Sequence, residues 1–221
     1  MLKLIIGNRA YSSWSMRGWL AVKQSGEEFE ELVVPMFDDE WEKRREGDEF
    51  APSLGKVPIL WDGDCVVWDS LAIIEFLADR VGRKRYWPDD DAARGMARSM
   101  AAEMHSSFAS LRRELPMNVR KSYSPRELSG GVKDDINRIL QLWAQARARF
   151  GGTGDFLFGD YCATDIMYAP VVTRFITYGV PVPPFAALYM KAALSHPHVQ
   201  DWIDQAQDEP WVIEQYEDAA A

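Results

Sequence analysis

Hydrophobic and polar residues alternate in short runs over the first 82 positions of this 221-residue chain. Four such runs predict β-strands, at residues 2–6, 29–34, 57–60 and 65–68. The Asp62-Gly63 pair favours a hairpin turn between the last two strands. Apolar residues at helical spacing predict helices at 16–24 and 70–81, and Gly82 ends the second. This order predicts a mixed sheet with helices on its faces.

Strand signals end after residue 82, and helical spacing continues to the end of the chain. Residues 89–114 predict one long helix, because three aspartates follow Pro88 in its first turn and Pro116 lies beyond its end. Gly130-Gly131 predicts a break before a helix at 132–150. Three further helices are predicted at 163–178, 185–194 and 199–206. We therefore expect an α/β domain at 1–82, a linker at 83–90 and an all-helical domain at 91–221.

Composition limits the class of protein. With 47% hydrophobic and 27% charged residues, the chain can bury a core. Its net charge of −9 argues against a nucleic-acid surface, so a site for an anion must be built locally. It has no signal-peptide pattern and no run of about 18 uncharged apolar residues, so we expect a cytoplasmic protein without a membrane contact. Cys65 and Cys162 lie far apart and predict neither a disulfide nor a metal site.

Two short segments carry the first candidate chemistry. Pro58 cannot donate a hydrogen bond to a sheet, so the main chain of Val57 before it is a candidate to pair with an extended ligand. Asp69 and Ser70, at a predicted helix start, add an acceptor, a donor and the positive end of the helix dipole. Together they predict a corner that binds a short peptide with one amine and one carboxylate.

These segments carry a family resemblance. The pairing of Val57-Pro58 with Asp69-Ser70, and the run 156–160 leading into residues 163–165, resemble a cytosolic glutathione S-transferase of the bacterial type. The resemblance covers nearly the whole chain. It implies a thioredoxin-like first domain followed by an all-helical one. It also implies that Pro58 follows a cis peptide bond and that Val57 binds the cysteinyl backbone of glutathione.

The same resemblance implies the remaining ligand contacts and the assembly. Asp69 and Ser70 would hold the γ-glutamyl group of glutathione, and Lys56 would reach the glycyl carboxylate. Glutathione would be a cosubstrate, with no metal. A homodimer is implied, in which the small domain of one subunit meets the helices of the other.

The segment from Tyr11 to Arg17 begins the first helix and is rich in hydroxyl groups. It resembles the Ser-Ser-Cys-Ser segment of zeta-class transferases, with Trp14 in place of the cysteine. By that match Ser12 is the catalytic hydroxyl, which donates a hydrogen bond to the glutathione sulfur and favours its thiolate. Ser13 is the neighbouring glutathione contact. Ser13, Ser15 and Tyr11 remain alternatives for the contact with sulfur.

The second substrate is expected against the long helix at 89–114. Met104, His105 and Phe108 on that helix, with Trp14 opposite them, predict a site for a small hydrophobic electrophile. The predicted function is a glutathione S-transferase. A zeta-like glutathione-dependent cis-trans isomerase and a non-catalytic binding protein of the same fold remain alternatives. Because Trp14 cannot exchange thiols, redox chemistry through a protein cysteine is disfavoured.

Overall fold

The computed structural model describes residues 1–217, and its N-terminal part is organised around a four-stranded sheet. The strands are β1 (Leu2–Ile6), β2 (Phe29–Val33), β3 (Ile59–Asp62) and β4 (Cys65–Val67). Their spatial order is β2-β1-β3-β4, with β1 parallel to β2 and the other two pairs antiparallel. The predicted mixed, thioredoxin-like sheet is therefore confirmed.

Helices cover both faces of the sheet. Helices α1 (Ser13–Ser25) and α3 (Ser70–Val81) share one hydrophobic cluster with Leu4 of β1, whereas Ile5 packs on the other face near the short helix α2 (Trp41–Arg45). Successive residues of a strand point to opposite faces, which explains the division. Helix α1 is capped by Ser12 and stopped by a left-handed Gly26.

The rest of the described chain is helical. Its helices are α4 (Asp91–Ser106), α5 (Ala109–Glu114), α6 (Gly130–Phe150), α7 (Ala163–Thr177), α8 (Pro184–Ser195) and α9 (Pro197–Gln207). Helix α7 is almost entirely buried and packs against α1, α4 and α8. The buried Arg17 of α1 donates to the Met167 carbonyl of α7 at 2.9 Å, which ties the two parts together. Within residues 1–217, no helix is long and apolar enough to cross a bilayer.

The single long helix predicted at 89–114 is wrong, because the chain breaks between α4 and α5. Phe108 is buried in the core with a left-handed φ of 64°, so the helical ladder cannot continue through it. The backbone groups that lose their helical hydrogen bonds at the break are bonded to side chains instead. Arg112 donates to the carbonyls of Met104 and Ser107, and Asp135 of α6 accepts from the Leu111 N–H at 2.9 Å.

The break predicted at Gly130-Gly131 is also wrong, since both glycines lie in the first turn of α6. The Ser129 side chain caps this helix by accepting from the Val132 N–H. A Cβ at Gly131 would lie 2.6 Å from Ser110 Oγ, so the glycine allows α5 and α6 to approach closely. Packing between helices therefore explains a residue that the sequence pattern alone marks as a helix breaker.

Candidate functional site

A cavity of about 790 Å³ lies between the sheet and the helical part of the chain. The loop after β1, the loop before β3 and the start of α3 form one side, and the ends of α4, α5 and α7 form the other. Seven of the predicted site residues line it: Ser12, Ser13, Trp14, Lys56, Val57, Asp69 and His105. Residues distant in sequence are thus brought to one cleft.

Four predicted site residues do not line this cavity. Met104 and Phe108 are 1% and 5% exposed and belong to the hydrophobic core, so their predicted place beside the second substrate is corrected. Pro58 is buried behind Val57, and Ser70 is buried in the first turn of α3. These last two can act only by supporting the cleft or through local opening of its wall.

The loop before β3 presents an unpaired stretch of main chain. The Val57–Pro58 peptide bond is cis, as predicted. Strand β3 begins only at Ile59, and the N–H and C=O of Val57 hydrogen-bond to no residue between 1 and 217. The close approach of Gly18 in α1 supports this loop, since a Cβ there would lie 2.7 Å from the Pro58 ring. The geometry therefore offers one donor and one acceptor to an extended ligand.

Asp69 and Ser70 form the polar start of α3. The Asp69 carboxylate caps the helix by accepting from the Leu71 N–H at 3.0 Å, and its other oxygen lies 3.2 Å from His105 Nε2. The Asp69 side chain is half exposed, so it remains open to a ligand. Ser70 Oγ is buried without a hydrogen-bond partner in the described chain. An unsatisfied buried hydroxyl is costly and marks a place where a ligand atom could complete the site.

The serines at the start of α1 form a short hydrogen-bonded chain. Ser15 is fully buried and accepts from the Gly7 N–H at 2.9 Å, and its Oγ lies 2.8 Å from Ser12 Oγ. In this second bond Ser12 donates its hydroxyl proton to Ser15. Ser12 also accepts from the Ser15 N–H at 3.3 Å, which caps the helix. A hydroxyl proton can rotate about its C–O bond, so a ligand atom in the cavity can compete with Ser15 for it.

Ser13 has a different partner. Its Oγ accepts a hydrogen bond of 3.2 Å from Nη2 of Arg174, a residue of α7 that is 4% exposed. Burial, followed by repulsion from Arg112, lowers the pKa of Arg174 to about 9. Ser13 is therefore tied to a buried cation, and its own hydroxyl proton is free to face the cleft.

Trp14 lies between two guanidinium groups. Arg17 and Arg112 lie 5.0 Å and 4.7 Å from the centroid of its ring, which is a cation–π arrangement. The His105 ring meets the same indole edge-on at 5.3 Å. Trp14 is thereby held as an aromatic wall between the serine loop and the helices.

A family model for the N-terminal domain of glutathione S-transferases matches residues 11–80. The segment contains the serine loop, Val57 and Asp69. Curated relatives agree with this match. A glutathione S-transferase of Escherichia coli strain K12, GstB, is 24% identical over 160 residues, which is 72% of each chain. Glutathione S-transferase 1 of Dianthus caryophyllus is 26% identical over 195 residues, or 84% of each chain.

The family model and these relatives support membership of the glutathione S-transferase family.

Solved structures of transferases have the same fold. A glutathione transferase homolog from Burkholderia with bound glutathione superposes with a TM-score of 0.70 at 22% identity, covering 94% of this chain and 99% of that one. A theta-class glutathione S-transferase from Xanthomonas axonopodis, also with glutathione bound, gives 0.65 at 20% identity, covering 91% and 96%. The thioredoxin-like sheet followed by helices is thus the architecture of the glutathione S-transferases.

Two residues of this cleft were missed by sequence reasoning. Arg174 could have been noticed, because it is the basic residue in a helix, α7, whose sequence is mostly apolar. Nothing in the sequence pattern identified Arg112 as a cleft residue, because its position depends on the break at Phe108. Among residues 1–217, no cluster of three or more His, Cys, Asp or Glu side chains could hold a metal ion.

Proposed function

We propose that this protein is a glutathione S-transferase enzyme that uses the thiolate of glutathione to attack a hydrophobic electrophile. One observation carries the proposal. The unpaired Val57 main chain, the Asp69 carboxylate and the Ser12 hydroxyl all line the same cavity, although they come from three separate loops. That set matches the backbone, the ammonium group and the sulfur of one tripeptide.

In the proposed complex, glutathione lies extended along the loop before β3. Val57 pairs with its cysteinyl N–H and C=O through the main chain. The carboxylate of Asp69 binds the γ-glutamyl ammonium, while the N-terminus of α3 binds the neighbouring carboxylate, with Ser70 joining it after local opening of the cleft wall. Lys56, which is exposed at the rim of the cavity, binds the glycyl carboxylate. Ser13 stands beside the cysteinyl side chain.

The Ser12 hydroxyl is proposed to donate a hydrogen bond to the glutathione sulfur. A thiol with a pKa of about 8.5 must fall by about 2 units to be mostly ionised at pH 7, which corresponds to about 2.7 kcal/mol. A hydrogen bond to a charged group supplies about 1.5–3 kcal/mol, and a helix N-terminus adds about 0.3–1 kcal/mol. The two contributions together are sufficient. In the free protein Ser12 donates to Ser15 Oγ, so the proposed complex requires this hydroxyl to turn from Ser15 to the sulfur.

The electrophile is proposed to bind between Trp14 and His105, on the helical side of the cavity. Attack forms a bond between sulfur and carbon, the leaving group departs with its electron pair, and the thiol proton passes to solvent. A zeta-like isomerase and a binding-only protein are the alternatives. The replacement of the zeta-class cysteine by Trp14 weighs against the isomerase.

The proposal extends to organisation and assembly. We propose a glutathione-binding domain at 1–82 and a helical domain from 91 onward, joined by a linker, in a cytoplasmic homodimer. Large apolar side chains exposed on both parts support a dimer, among them Leu54 and Trp68 on the sheet side and Leu188 on the helical side. Sizing in solution would give twice the 25.2 kDa mass of one chain.

The function is tested by incubating the purified protein with glutathione and a panel of electrophiles that includes halo-nitroaromatics, organic peroxides and cis-enoyl acids. Saturable consumption of glutathione above the uncatalysed rate supports a transferase. Isomerisation of a cis-enoyl acid without loss of glutathione identifies the isomerase instead. Retention on immobilised glutathione without any turnover identifies a binding protein.

A further inference from the structure

The helical wall of the cleft contains positive charge without a matching carboxylate. Arg112 and Arg174 line the cavity, and Arg17 lies behind Trp14. In the described part of the chain, none of these three arginines forms an ion pair. Asp135 is the carboxylate that acts on Arg112 through its field, and its hydrogen bond goes to the Leu111 N–H. Such a cluster is unexpected in a protein of net charge −9.

The neutral partners of these arginines leave one nitrogen of Arg112 and one nitrogen of the fully buried Arg17 without a hydrogen-bond partner in residues 1–217. Arg174 donates to the carbonyls of Leu115 and Pro170 and to Ser13 Oγ, so each of its nitrogens is used. Arg112 donates from Nε and Nη2 to the carbonyls of Ser107 and Met104. Its Nη1 has no hydrogen-bond partner in residues 1–217. The backbone thus holds the Arg112 guanidinium in place while one edge stays available.

The positions of the charged groups in the cavity indicate which ligand could supply an anion to these arginines. In the proposed function, the two carboxylates of glutathione bind Lys56 and the start of α3, and its ammonium binds Asp69. The guanidinium of Arg112 lies instead on the helical side, against the Trp14 ring. A buried or half-buried cation is favourable only when an anion or several hydrogen bonds compensate it. Besides the glutathione thiolate, which is proposed to lie at Ser12, the second substrate is the remaining source of an anion.

We propose that the electrophile is itself an anion, an aromatic or unsaturated carboxylic acid whose carboxylate binds Arg112 while its apolar part packs on Trp14. This inference rests on the proposed function and names the substrate class of the same site. Arg174 strengthens the binding through its field, and a guanidinium matches the planar geometry of a carboxylate. The helical side of the cleft would then bind the electrophile through charge-assisted hydrogen bonds, and the sheet side would bind the glutathione backbone through main-chain hydrogen bonds.

Binding of two unreactive probes tests the inference without requiring turnover. The affinities of 3-nitrobenzoate and the neutral 3-nitrobenzamide are measured by calorimetry in the presence of glutathione. Wild-type protein should prefer the carboxylate by about ten- to a hundredfold, the range expected for a hydrogen bond to a charged group. Arg112→Gln should abolish most of this preference. Arg113→Gln is the matched control, because Arg113 is exposed and pairs with Glu114.

Kinetics with 4-chloro-3-nitrobenzoate and 4-chloro-3-nitrobenzamide, each normalised to its uncatalysed rate, give a second readout. Sulfur displaces chloride in both, and the ratio of the two values of kcat/KM does not depend on the fraction of folded protein. A preference for the acid that falls in Arg112→Gln supports the inference. Equal binding of 3-nitrobenzoate and 3-nitrobenzamide by the wild type overturns it. It is also overturned if Arg112→Gln lowers binding or turnover of the acid and the amide by the same factor, because Arg112 would then serve the thiolate or the fold. Absence of turnover with a preserved binding preference would contradict only the proposed enzyme activity.

Discussion

Asp69 and His105 face each other across the cleft, with 3.2 Å between an Asp69 carboxylate oxygen and His105 Nε2. Asp69 belongs to the sheet side and His105 to α4. The residue proposed to hold glutathione thus contacts a residue proposed to line the electrophile site. Occupation of one half of the cleft can therefore influence the other.

Replacement of Asp69 by asparagine should weaken glutathione binding about ten- to a hundredfold, because an ammonium loses a charged partner worth about 1.5–3 kcal/mol. Asparagine caps a helix as well as aspartate does, so α3 should keep its stability. Calorimetric titration with glutathione measures the effect. Asp64→Asn, in the exposed turn between β3 and β4, is the matched control. An unchanged affinity in Asp69→Asn would remove this residue from the proposed site.

The contact between Asp69 and His105 can be measured by a double-mutant cycle. The effects of Asp69→Asn and His105→Ala on glutathione affinity should be non-additive by about 0.5–3 kcal/mol, as is usual for residues in contact. Strict additivity would mean that the pair does not influence ligand binding.

Ser12→Ala should lower kcat/KM for glutathione conjugation by about ten- to a hundredfold, because the thiolate loses its hydrogen-bond donor. The removed donor favours the charged form of the thiol, so its loss raises the pKa of bound glutathione. The pH at which kcat/KM for the electrophile is half maximal, measured at saturating glutathione, should therefore rise by about 1–2 units. Steady-state rates of the wild type and Ser12→Ala, measured over the range between pH 5.5 and 9 in which both proteins stay folded, would give this shift.

Ser13→Ala is the matched comparison, since Ser13 lines the same cavity but is bonded to Arg174. We expect a smaller loss of rate and little change in the pH profile. Ser15→Ala should fall between the two, because it removes the group that orients Ser12 without removing Ser12 itself. A larger pH shift in Ser13→Ala than in Ser12→Ala would transfer the catalytic role to Ser13.

Gly18→Ala should destabilise the protein and weaken glutathione binding. Its new Cβ would lie 2.7 Å from the Pro58 ring, so the loop that presents Val57 must move. Overpacking of this kind costs about 1–3 kcal/mol. Urea unfolding and calorimetry with glutathione measure both effects.

Gly95→Ala is the contrasting control. Gly95 lies inside α4, and a Cβ there would meet nothing within 4 Å beyond the backbone of its own helix, so alanine should stabilise the helix by about 0.5–1 kcal/mol. Glutathione affinity should stay the same. If both glycine variants behave alike, the contact between Gly18 and Pro58 is not what positions the loop.

Local patterns in the chain predict much of the fold. Strand β1 and helices α1 and α3 follow from alternation, helical spacing, capping residues and a following glycine, all of which act within a few residues. The same local chemistry singled out Val57 and Asp69, whereas the role of the serine loop came from its resemblance to the zeta-class segment. The division of the chain at residues 83–90 remains a prediction.

The errors arise where distant residues decide the backbone. Helix α4 ends because Phe108 is taken into the core in a left-handed conformation, and Arg112 and Asp135 satisfy the groups at the break. Met104 and Phe108 then point into the core rather than the cleft. No pattern within residues 89–114 contains this information, because the compensating partners include a residue of α6.

By itself, the sequence determined the order of strands and helices, the unpaired position before Pro58 and the polar helix starts, because each depends on neighbouring side chains and backbone. Only the tertiary structure decided that Ser12 lies on a chain of hydrogen bonds through Ser15, and that Arg112 and Arg174 both lie at the helical wall without a carboxylate partner among residues 1–217. Those relationships depend on packing between elements far apart in the chain, where burial and charge compensation, and not local propensity, set the energy.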